Sequence, residues 1–175
     1  MDNDFALRFP VGDFRYADSY TPEATRAHIA DIAAFPAQLR EEAGNLTEEE
    51  LARTYRPGSW TVRQVIHHLV DSHINAFIRV KSALTEDVPV IRGYDQDAWS
   101  ALPDAALPPE ASFAALDGIH ARFAALLGSL DAAGLARRFY HPENKRLITL
   151  EQTAAAYSWH GRHHLGHILL ALGRK

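Results

Sequence analysis

Three times along this chain a threonine is followed, three residues later, by glutamate or glutamine: Thr47 with Glu50, Thr61 with Gln64, and Thr149 with Gln152. At that spacing the hydroxyl and the carboxylate or amide satisfy orphaned backbone N–H groups reciprocally, which marks a helix N-terminus. Thr47 heads a short helix. Thr61 and Thr149 head long ones, predicted to end near Leu84 and near Gly173. Another long helix is predicted from Thr21, with Pro22 at its first position, to about Ala43 behind Ile29, Ile32 and Leu39, and Pro36 should kink it. A further one runs from Glu110 to about Leu130 along Phe113, Leu116, His120, Phe123 and Leu127. Four long helices joined by polar segments predict an all-α four-helix bundle with at least one long crossover.

The connecting segments look irregular. Residues 1–20 contain Pro10 and Gly12 and are expected to lie as irregular chain on the surface. Residues 86–109 hold four prolines and a glycine, as in a long crossover loop. His141-Pro142-Glu143 falls in the loop before the last helix. A chain of 175 residues with 47% hydrophobic content can bury about two-thirds of its unfolded surface, so residues 1–175 are expected to form one domain.

Charge and cysteine content narrow the function. A net charge of −4, with no basic run longer than a pair, lacks the footprint of nucleic-acid binding. No cysteine is present, which removes disulfides, thiolate ligands and an internal sulfur nucleophile. The acidic N-terminus does not spell a signal peptide and no stretch approaches 18 apolar residues, so the expectation is a cytoplasmic protein without membrane contact.

Histidine is over-represented: of ten, seven fall into two clusters, His67, His68 and His73 on one predicted helix and His160, His163, His164 and His167 on the last. Residues three, four and seven apart share a helix face. Relative to the apolar stripe through Ala154, Gly161 and Ile168, stepping about 100° per residue places His164 nearest, His160 next, His167 further and His163 furthest round. The inward pair, His160 and His164, has the i, i+4 spacing that lets two neutral imidazoles converge on zinc or nickel. A solvated flank or buried, hydrogen-bonded histidines would leave the same spacing. Gly161 and Gly166, costly inside a helix, imply a second helix pressing close and able to supply a third ligand. His67 and His68 are both candidates: His68 shares its face with Gln64, Asp71, Ser72 and Asn75, whereas His67 lies near Ile74 and Ile78. His120 reads as a satisfied core histidine. No H-E-x-x-H motif delivers a general base; Asp71 and Glu143 are candidates for that work or for supporting contacts, and Tyr157 and Trp159 for lining a cleft.

Tyr55-Arg56-Pro57-Gly58-Ser59-Trp60-Thr61-Val62-Arg63-Gln64, His67-His68 with Asp71-Ser72-His73, Tyr94-Asp95, Tyr140-His141-Pro142-Glu143 and Trp159-His160 through His167 together give the chain a family likeness. It resembles the DinB/YfiT-like family of metal-dependent hydrolases, most of all the YfiT branch, over nearly its whole length. The resemblance implies a four-helix bundle holding one divalent metal on a histidine eight residues after the helix-opening tryptophan, here His68, and on the pair His160 and His164. It also implies zinc or nickel, often a homodimer, and relatives that include transferases using a low-molecular-weight thiol; the hydrolase label is itself an inference within the family. Three neutral ligands leave a position open for water or a small-molecule substrate. The expectation is metal-dependent hydrolysis, with thiol transfer or a non-catalytic metal-binding stress-response module as alternatives, and with catalytic residues unassigned. Metal binding should need His68, His160 and His164 but neither His163 nor His73. The metal should stabilise the fold without being essential to it.

Overall fold

The computed structural model describes residues 3–174. The elements follow as α1 (Asn3–Arg8), α2 (Pro22–Ala43), α3 (Glu48–Leu51), α4 (Val62–Thr85), α5 (Gln96–Ser100), a 3-10 turn (Pro103–Ala106), α6 (Glu110–Gly128), α7 (Ala132–Leu135), β1 (Arg138–His141), β2 (Arg146–Thr149) and α8 (Leu150–Leu172). All three threonine capping boxes form, at Thr47, Thr61 and Thr149. Thr21 caps α2 by accepting from the Ala24 amide. Helix α8 stops at Gly173, whose left-handed φ of 69° glycine adopts without steric cost.

The four long helices α2, α4, α6 and α8 form a bundle in which α2 and α4 each pack against both α6 and α8. The ring order is therefore α2, α6, α4, α8. Consecutive helices α2 and α4 lie diagonally opposite, as do α6 and α8, so two connections cross the bundle end. Two apolar clusters fill it. One gathers Phe35, Leu39, Val65, Ile66, Leu69 and Leu116; the other gathers Ile32, Val80, Phe123, Leu127, Ile148 and Leu150. Between them His73 and His120 stack at 4.7 Å, with Phe35 closing the layer 5.8 Å from His73.

His120 owes its place to a proline. Pro36 sits inside a continuous α2 and has no N–H to give the Ile32 carbonyl four residues back. His120 Nδ1 donates to that oxygen instead, at 2.6 Å.

Three connections are more ordered than the sequence predicts. Residues 3–8 are helical, where irregular chain was expected. The segment 86–109 is not a plain loop: Asp95 caps α5 through the Ala98 amide, and a 3-10 turn follows. Before α8, α7 is capped by Asp131, and β1 pairs antiparallel with β2, setting Phe139 opposite Ile148 with both buried. Elements of four to six residues span too few positions for a hydrophobic period to emerge, so capping and burial decide them.

Candidate metal centre

Helix α4 carries His68 and helix α8 carries His160 and His164, one turn apart. Because α4 and α8 are neighbours in the ring, the three imidazoles meet. Their ligand nitrogens all lie within 4.8 Å of one another, and ring centroids are 4.5 Å apart for His160 and His164, 4.8 Å for His68 and His164, and 5.4 Å for His68 and His160. Two nitrogens on one tetrahedral zinc stand about 3.4 Å apart, so small side-chain rotations suffice for a shared ion.

Burial sets the protonation. It pushes His68 down to about 4 and holds His160 and His164 well below the ordinary histidine range, with the neighbouring histidines adding to the effect. All three are neutral at pH 7, with lone pairs available for a metal.

Hydrogen bonds fix which nitrogens are bare. The Arg8 carbonyl can only accept, so His167 Nε2, 3.2 Å away, carries a proton and donates to it. His167 is neutral, burial having lowered it to about 4, so its Nδ1 is bare. That nitrogen faces His164 Nδ1 at 3.4 Å; His164 must donate, leaving its own Nε2 free to ligate. On the other side His160 Nδ1 lies 3.1 Å from Nε2 of the buried His73. His163, His164 and His167 also bring ligand nitrogens within 4.8 Å, but His167 Nε2 and His164 Nδ1 are engaged in hydrogen bonds.

The wheel ranking of α8 does not match burial, since His160, placed second, is the most exposed of the four histidines. His163 and His167, placed furthest round, are 8% and 3% exposed. The N-terminal segment crosses this face, with Phe9 6.0 Å from His163 and the Trp159 indole donating to the Gly12 carbonyl, and Tyr55, between α3 and α4, stacks on His167 at 3.9 Å. Glycine does mark close approach, though not by α4. A Cβ on Gly161 would meet Phe35 of α2 at 2.8 Å, and one on Gly166 would meet Pro10 at 2.8 Å.

The other candidates separate cleanly. His67 uses both nitrogens elsewhere, Nδ1 with Ser112 Oγ at 2.6 Å and Nε2 with the Leu107 carbonyl at 2.9 Å. Asp71, raised by burial and by Asp104, sits near His67. Glu143 lines a separate cleft with Arg79 and Tyr94. Neither carboxylate is on the wall of the cavity over the histidines, which holds about 500 Å³; Asp97 of α5 is. Trp159 lines that cavity, while Tyr157 borders an adjoining one. Arg8, Tyr55, Arg56 and Trp60 complete the wall. The sequence offered one signal for them, the Tyr55 to Trp60 turn.

Comparison with known proteins agrees with this architecture. The family model of the DinB superfamily matches residues 22–168. Two proteins each named "Putative metal-dependent hydrolase" are similar: YfiT of Bacillus subtilis (strain 168), 43% identical over 163 residues covering 93% of this chain and 92% of YfiT, and a protein of Bacillus mycoides (strain KBAB4), 43% identical over 162 residues covering 93% of each chain. A solved structure of YfiT, described there as a probable metal-dependent hydrolase with an unusual four-helix bundle topology, superposes with a TM-score of 0.92 at 40% identity, covering 97% of this chain and 99% of that one.

Proposed function

The chain belongs to the DinB superfamily, and from that premise we propose that it is a metal-dependent hydrolase of a small substrate, with His68, His160 and His164 holding one divalent ion. The observation that carries the reading is the convergence of three neutral imidazoles from two helices, two buried and His160 half-buried, beside a cavity of about 500 Å³. The donor set suits zinc first and nickel second. A metal bound there supplies Lewis acidity toward water or a substrate carbonyl or phosphoryl oxygen.

The chain's own residues do the rest. His167 and His73 hold His164 and His160 in orientation through their outer nitrogens. Trp60, 4.7 Å from His68, and Tyr55 give the cavity apolar faces that confine a substrate beside the histidines. Asp97, the carboxylate on its wall, would be the proton acceptor in this reading.

Metal analysis of purified variants tests the ligand set. Alanine at His68, His160 or His164 should each empty the site, while His163→Ala should not; an empty His163→Ala with a loaded His164→Ala would overturn the assignment. Wild type and His164→Ala would then meet esters, amides and alkylating electrophiles, with and without a small thiol. Cleavage without thiol, lost in the variant, supports hydrolysis. Turnover only with thiol would move the reaction to transfer of that thiol, for which the chain has no cysteine of its own. No metal-dependent turnover would leave a metal-binding module.

A further inference from the structure

We propose that the cavity over the histidines is an oxyanion site, in which Arg56 and Arg8 bind a carboxylate or phosphate group of the substrate. The inference deepens the hydrolase reading and rests on it for what happens to the bound anion. The two arginines stand on the same wall as His68, His160 and His164. Arg56 is half-buried, its Nε is sealed from solvent, and among the described residues that nitrogen has no hydrogen-bond partner. The sealed Nε has no partner that would draw the guanidinium away from the cavity, and where the planar fork of donors meets the cavity it matches an oxyanion. Tyr55 packs against the guanidinium at 5.8 Å and holds it.

Charge points the same way. Among the described residues neither Arg56 nor the exposed Arg8 is in an ion pair. The chain as a whole carries −4, yet this wall sets two arginines against one carboxylate, Asp97, which is exposed on α5. The histidines add no negative charge, so a dication on them keeps its full charge. A positive cavity in a negative protein focuses its field on anions and draws them in. With a divalent ion held by the histidines, an oxyanion beside Arg56 would meet positive charge on both sides.

Calorimetry with succinate, inorganic phosphate and the neutral isostere succinamide tests this, using zinc-loaded and zinc-stripped wild type, Arg56→Gln, Arg56→Lys, Arg8→Gln and His164→Ala. Zinc-loaded wild type should bind at least one anion and reject succinamide, and the preferred anion tells carboxylate from phosphate. Arg56→Gln should weaken binding tenfold or more, Arg56→Lys less, and raised salt should weaken it further. Succinamide binding as tightly as succinate, or Arg56→Gln binding like wild type, would overturn the proposal. If anions bind Arg56→Gln normally but not His164→Ala, the metal alone is the anion site; the proposal then fails while the hydrolase reading stands. If the protein takes up no metal, that reading fails, and Arg56-dependent binding by the zinc-stripped protein still decides the anion site.

Discussion

His167 does not meet the candidate ion, yet its two hydrogen bonds decide which nitrogen of His164 is bare. Replacing it with alanine removes the acceptor that keeps the proton on His164 Nδ1, and metal affinity should fall by about 10-fold or more, the usual loss when an outer partner of a ligating histidine goes. His167→Gln keeps an acceptor and should recover part of it. Zinc competition against a chelating dye measures both; equal affinity in His167→Ala and wild type would reject the orienting role. The same reasoning revises the expectation that His73 is dispensable, since its Nε2 contacts His160 Nδ1 and His73→Ala should also weaken binding, whereas His163, with no such contact to a candidate ligand nitrogen, remains neutral. Helical spacing gave the sequence reading His160 and His164, but it left His67 and His68 unresolved until the family likeness chose His68. Which histidines support them was illegible, because support depends on the tautomer of a neighbour and on Arg8, more than 150 positions away in the chain.

Helix α2 and helix α6 exchange a hydrogen bond that neither could make alone: Pro36 opens the Ile32 carbonyl and His120 closes it. His120→Ala should destabilise the protein by about 2–4 kcal/mol, from the lost ring volume and the orphaned carbonyl. In a Pro36→Ala background the new amide can satisfy that carbonyl, so the same His120→Ala change should cost about 1 kcal/mol less. Urea unfolding of the four proteins completes the cycle, and strict additivity would show that the two residues are not coupled. The long elements were legible from capping boxes and apolar period because those signals are local. The hairpin was not, since Phe139 and Ile148 count as core only once α8 and the second apolar cluster lie beneath them. The burial of His163 was missed for a similar reason: its cover, residues 9–12, has no period at all.

At the scale of the whole molecule, the buried histidines tie stability to acid. His68 and His167 titrate near 4 in the fold but near ~6.5 when unfolded, so between those values the unfolded chain binds more protons. Their contribution is complete above about 6.5 and is lost as pH falls through 4. The melting temperature of metal-free protein should therefore drop by more than ~5 °C between pH 7 and pH 5; a flat profile would contradict the neutral, buried state. Metal binding should raise the melting temperature at pH 7, while chelated protein keeps its helical circular dichroism, because two apolar clusters on either side of the histidines hold the bundle. Chelated protein that is unfolded at 25 °C would refute this. The diagonal placement of α2 and α4, and of α6 and α8, bears on time rather than equilibrium. Only α4 and α6 are consecutive long helices that pack together, so the chain cannot assemble by closing one helical hairpin after another, and most productive encounters must wait for distant segments to meet. Its relative contact order exceeds that of an up-and-down bundle of equal length, and stopped-flow refolding should be correspondingly slower than the microsecond-to-millisecond range of local helical folds.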